Sequence, residues 1–179
     1  MEIVIEESGM RFGKYLDNQV FQIEKSEQYT KNLRQNGIKT CEFILQRGKK
    51  LLFIEAKSSC PRKIMEGIPN DEKEKRKKSY NDFIQGIVLK MRHSLSLYGN
   101  ILLERYSMKG IPENMANVNL SDTTINLVLV INPQNGNWEP EPELQDDLRK
   151  ALQNEMKIWK IESFFVINAE LAKRKHLII

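Results

Sequence analysis

"LLFIEAKSS", Leu51 to Ser59, begins as a buried strand and ends in charge. Side chains alternate along a strand, so Leu51, Phe53, Glu55 and Lys57 share one face, and Leu52, Ile54, Ala56 and Ser58 share the other. Both faces start apolar, the pattern of a central strand covered on both sides. A charged side chain is seldom fully buried unless it is paired or binds a metal. Glu55 and Lys57 therefore either emerge into water as an ordinary surface pair or are delivered to a site.

The flanking sequence extends the strand into a hairpin. "TCEFIL", Thr40 to Leu45, is a second apolar run, and "QRGKK", Gln46 to Lys50, separates the two with a turn signal. A two-residue turn at Gly48-Lys49 sets Glu42 directly opposite Glu55. A turn one residue along sets them diagonally, still on one face. In both registers two carboxylates and Lys57 converge near one end of an apolar hairpin. Two acids so close repel, and one keeps its proton unless a cation lies between them. All-oxygen ligation suits a hard ion, Mg²⁺ or Mn²⁺.

Around this hairpin the pattern predicts an α/β (α+β) fold, a central mixed sheet flanked by helices. "EIVIEE", "MRFGKYL" and "QVFQIEK" read as short strands and form a strand-rich N-terminal extension over about residues 1–24. Ser26 and Gly37 bracket a short helix. The spacing of Tyr80, Phe83, Ile84, Ile87, Val88, Met91, Leu95 and Tyr98 predicts a long helix over about 77–98. "TINLVLVIN" and "IESFFVIN" are further core strands. "PEPELQDDLRKALQNEMKIWK" reads as one helix, with Pro142 near its start, and "AELAKRKHLII" as a short helix or tail.

The 179 residues, 40% of them hydrophobic, suit a single domain over 1–179. The net charge of +4 and a pI near 9.0 permit an acidic partner such as nucleic acid. "KEKRKK", Lys73 to Lys78, together with Arg62 and Lys63, would give a basic rim suited to a phosphate backbone. Two cysteines, Cys41 and Cys60, are too few for a disulfide framework and lack the close partners of a zinc site. The opening "MEIVIEESGM" lacks the basic and apolar regions of a signal peptide, and the longest apolar run is too short to span a bilayer. A cytoplasmic protein with no membrane partner is expected. His93 and His176 have no neighbours that mark them as catalytic, and no glycine pattern forms a nucleotide-binding loop.

"CEFIL" and "LLFIEAKSS" resemble the PD-(D/E)XK, or restriction-endonuclease-like, nuclease superfamily. In that family one strand of a hairpin carries a metal-binding acid, the next carries acid, any residue, lysine, and an amphipathic helix follows. The resemblance covers about residues 19–132 in element order. It implies that Glu42 and Glu55 hold Mg²⁺ or Mn²⁺ with the main-chain carbonyl of Ala56, and that Lys57 is the catalytic lysine. Glu24, in "VFQIEKS", is a candidate third acid. The tripeptides at Asp71 ("DEK") and Glu155 ("EMK") also fit the short motif, but one lies in a charge run and the other in a helix. Cys41 and Glu42 stand where the family has Pro-Asp, and Gln85 is followed four residues on by Leu89 rather than tyrosine. The implied activity is metal-dependent hydrolysis of phosphodiester bonds in DNA, or RNA, by a homodimer or as part of a larger assembly. The alternative is a catalytically inactive nuclease-fold module that binds nucleic acid or joins a larger complex, with "NWEPEPELQDD" (Asn137 to Asp147) as a contact surface.

Overall fold

A computed structural model describes residues 1–63, 67, 69–133 and 141–179. Its centre is a five-stranded mixed sheet, flanked by helices on one face and by a second, two-stranded sheet and a short helix on the other. The two-stranded sheet is the hairpin β1 (Glu2–Glu7) and β2 (Met10–Leu16). Its turn, Ser8-Gly9, has positive φ at both residues (51° and 73°), the geometry of a tight hairpin turn that matches strand twist.

The large sheet runs in chain order: β3 (Val20–Phe21), β4 (Phe43–Arg47), β5 (Lys50–Lys57), β6 (Thr124–Ile131) and β7 (Ile161–Asn168). β4 is antiparallel to β3 and β5, whereas β5, β6 and β7 are mutually parallel. Arg47 pairs with Lys50, so the β4–β5 turn is Gly48-Lys49 and the direct register holds. β5 is central, with a partner on each side and apolar residues on both faces.

Helices cover the face of Leu51 and Phe53. α1 (Glu27–Asn32) is capped by the Ser26 hydroxyl, which accepts from the Tyr29 N–H. α2 (Asn70–Leu102) lays Ile84, Ile87, Val88, Met91 and Leu95 on the sheet. α3 (Glu113–Ala116) lies in the connection to β6, and α4 (Pro142–Ala151) and α5 (Gln153–Ile158) precede β7. α6 (Ala169–Arg174) follows β7 and packs on the opposite face through Ala172. The β1–β2 hairpin covers the opposite face, where Phe12 and Tyr15 pack with Phe43, Leu45, Ile54, Ala56 and Val128.

Three elements differ from the sequence reading. The third N-terminal strand has two residues rather than seven. Its chain turns into a 3₁₀ helix at Ile23–Lys25, whose Ile23 carbonyl accepts from the Ser26 hydroxyl, a local bond that competes with the strand ladder. α2 begins seven residues before the expected start, because lysine, arginine and glutamate are good helix formers and Asp71 and Glu72 suit its positive N-terminal end. The helix expected from Pro142 onwards is two helices, broken at the fully buried Leu152. Residues 137–140 of the acidic "NWEPEPELQDD" segment lie outside the described residues. No helix among the described residues is long and apolar enough to cross a membrane.

Candidate functional site

Strand alternation puts Glu55 and Lys57 on the helix-facing side of β5, in line with Leu51 and Phe53. Glu42 stands just before β4, and its N–H donates to the Ile54 carbonyl at 3.0 Å. That bond falls one residue out of the regular register, which ends at Phe43 opposite Ile54, and the side chain of Glu42 meets Glu55 on the α2 side through a shared lysine. Glu55 is fully buried and Glu42 is 9% exposed, whereas Lys57, at 32%, reaches solvent. Lys57 Nζ lies 2.7 Å from Glu55 Oε1.

The sequence reading missed Lys90, the cation that completes the cluster. It projects from the middle of α2, is 16% exposed, and its ammonium bridges the two acids. Nζ is 2.8 Å from Glu55 Oε1, 3.1 Å from Glu55 Oε2 and 3.3 Å from Glu42 Oε1. Its position in the chain holds the signal that could have found it. Ile87, Lys90 and Ser94 recur at helical spacing within the apolar stripe, so both polar residues face inward. Ser94 is fully buried. Its hydroxyl accepts from the Cys41 N–H at 2.7 Å and donates to the Lys90 carbonyl at 2.7 Å. It thereby fastens the approach to Glu42 onto the same turn of α2 that carries Lys90.

Glu24 is in the 3₁₀ turn rather than in a strand, and its carboxyl hydrogen-bonds to that of Glu42. Three acids and two ammonium groups thus meet at one end of the hairpin. Ala56 turns its side chain to the opposite face, against the β1–β2 hairpin. Its carbonyl accepts from the Ser8 hydroxyl at 3.1 Å, which leaves one lone pair for a further contact.

The electrostatics follow from the burial. Glu42 is pushed up to about 9 by burial, by its hydrogen bond with Glu24 and by the charge of Glu55, against the pull of Lys90. Burial likewise raises Glu55, opposed by Lys90 and Lys57. Burial disfavours the charge on Lys90, but Glu55 and Glu42 outweigh it and raise its pKa, so it stays an ammonium. Glu55 Oε1 receives both ammonium groups as ion pairs yet accepts no aligned hydrogen bond.

An oxygen-only donor set with surplus acid fits a hard divalent ion. Glu42, Glu55 and the Ala56 carbonyl would hold it, with Glu24 one step behind Glu42. Among the described residues no group of three or more His, Cys, Asp and Glu side chains is arranged to enclose an ion by itself. Mg²⁺ does not require such a cage. It retains several waters and binds through one or two carboxylates plus phosphate oxygens of a substrate.

The basic rim is partly neutralised. Lys63 pairs with Asp147 at 2.9 Å and Glu143 at 3.5 Å, and Tyr80 also donates to Asp147. Lys75, Lys77 and Lys78 are exposed on α2, about three to four helical turns before Lys90. His93 serves the fold, its Nδ1 accepting from the Lys39 N–H at 3.2 Å. Both cysteines are free thiols, Cys41 buried and Cys60 partly so. No protein-family model matches the chain, and no curated protein or solved structure matches it.

Proposed function

We propose that the chain is a metal-dependent nuclease of the PD-(D/E)XK kind that hydrolyses phosphodiester bonds in DNA, with RNA as the other candidate substrate. One observation carries the reading: Glu42 and Glu55 meet at one end of the β4–β5 hairpin, each within 3.3 Å of the same ammonium, with Lys57 2.7 Å from Glu55 at the solvent edge. The order of hairpin, acid-any-lysine strand and amphipathic helix α2 supports the same family. Glu42, Glu55 and the Ala56 carbonyl would hold Mg²⁺ or Mn²⁺. The bound ion makes water a better nucleophile and neutralises charge on the phosphate. Lys57 orients the attacking water and stabilises the charge that builds on a phosphate oxygen as the new P–O bond forms and the ester P–O bond breaks. The exposed lysines of α2 contribute non-specific attraction for the nucleic-acid backbone. A cytoplasmic setting, as a homodimer or within a larger assembly, accompanies this reading.

The test is cleavage of single- and double-stranded DNA and of RNA with and without Mg²⁺. Lys57→Ala is expected to lower the rate at least about a hundredfold, in the range for loss of one donor that stabilises developing charge, while leaving the melting temperature little changed. Unchanged cleavage by that variant would contradict the proposal.

Lys90 favours a second reading, because it already supplies a cation between the two carboxylates. In that reading the chain is a catalytically inactive module that binds nucleic acid. DNA binding that needs no metal, weakens steeply with salt and is indifferent to Glu55→Gln would favour it over the nuclease.

A further inference from the structure

The metal-centre reading leaves the position of Lys90 unexplained. Its ammonium lies within 3.3 Å of both acids, at the point where their carboxyl oxygens converge. That is also the point a divalent ion would occupy, and two cations cannot share it. Lys57 differs. It reaches Glu55 alone, has twice the exposure, and stands at the rim. Lysine suits a reversible occupant, being a point charge on a flexible four-carbon stem.

We propose that Lys90 is a resident cation that holds Glu42 and Glu55 together in the metal-free protein and is displaced when the metal enters. The inference rests on the metal-centre reading and adds to it a competition built into the fold. Metal affinity is set lower than the carboxylates alone would give, and the ion must expel the ammonium to reach both of them. The anchor for this movement is fixed, because Ser94 holds the Lys90 carbonyl and only the side chain needs to swing.

The experiment is calorimetric titration of Mn²⁺ into the metal-free full chain, without nucleic acid, for wild type, Lys90→Met, Lys90→Gln and Lys57→Met. Lys90→Met is expected to bind Mn²⁺ at least tenfold more tightly than wild type and to melt at lower temperature without metal. Lys57→Met removes an equal charge that bridges nothing, and its gain is expected to stay under threefold. Lys90→Gln keeps a polar side chain and gives the same direction of change should Lys90→Met fail to fold. Equal gains from Lys57→Met and Lys90→Met would reduce the effect to general electrostatics and overturn the inference. So would wild-type affinity in both Lys90 variants, which would leave the metal centre itself standing. If neither wild type nor any variant takes up Mn²⁺, the metal centre and this inference fall together.

Discussion

Glu42 and Glu55 occupy the same site but are held differently. Glu55 is fully buried and paired with two ammonium groups, whereas Glu42 shares a hydrogen bond with Glu24 and reaches only Lys90. The carboxyl of Glu42 is pushed up to about 9 in the folded chain, against about 4.5 for an unperturbed glutamate. Below about 4.5 both states keep the proton and the folded state has its full advantage. Between about 4.5 and about 9 the unfolded chain releases a proton that the folded chain retains, so stability falls as pH rises. Glu55, raised by burial, acts in the same direction. The melting temperature of the metal-free protein is therefore expected to decline from about pH 5 to about pH 9, and Glu42→Gln to flatten that decline. A melting temperature that rises across this range in the wild type would contradict the electrostatic account. At this scale the acids and Lys57 were legible in the sequence, because period-two alternation assigns a strand residue to a face without knowledge of its neighbours. Glu24 was legible only as an acid upstream. Its place in a turn depends on Ser26 bonding back to Ile23.

α2 links the site to the body of the protein. Its apolar stripe could be read from spacing alone, but the same stripe concealed Lys90 and Ser94, since a helix face is not a contact until its partner is known. The partner here is the segment leading into β4, which reaches α2 only through the tertiary fold. Ser94→Ala would leave the buried Cys41 N–H without an acceptor. Urea denaturation is expected to show a loss of about 1–3 kcal/mol, the usual penalty for an orphaned buried donor. Loss of the anchor also loosens Glu42, so the same variant is expected to bind Mn²⁺ more weakly than wild type. Unaltered stability and binding would mean that Ser94 carries no such role. The early start of α2 and the break at Leu152 were less legible. A charge-rich run such as Lys73–Lys78 reads equally well as loop or as solvated helix, and the break at Leu152 has no glycine or proline beside it to mark it.

The whole molecule uses the β1–β2 hairpin as the rear wall of the sheet. The sequence marked residues 1–24 as a strand-rich extension, and strand pattern alone could not say what that extension covers. In the fold it closes the face opposite α2, with Phe12 fully buried edge-on against Phe43 at 5.3 Å. Its turn reaches the back of β5 through Ser8 and the Ala56 carbonyl. Phe12→Ala is expected to destabilise the protein by about 3–5 kcal/mol, as for other fully buried phenylalanines, measured by chemical denaturation. A loss below about 1 kcal/mol, far under that range, would show the hairpin to be an accessory. The mixed sheet flanked by helices was predictable because strands come early and then alternate with helices. The register was not, since both turn placements satisfy the pattern and the pairing of Arg47 with Lys50 decides between them.

The central claim is that Glu42 and Glu55 together hold a divalent ion. It is tested most directly by titrating Mn²⁺ into the wild-type protein and the Glu42→Gln, Glu55→Gln double variant by calorimetry. The account predicts saturable binding to the wild type at a single site and at least a tenfold loss of affinity in the double variant. Equal binding by both proteins, or none by either with DNA present, would contradict it.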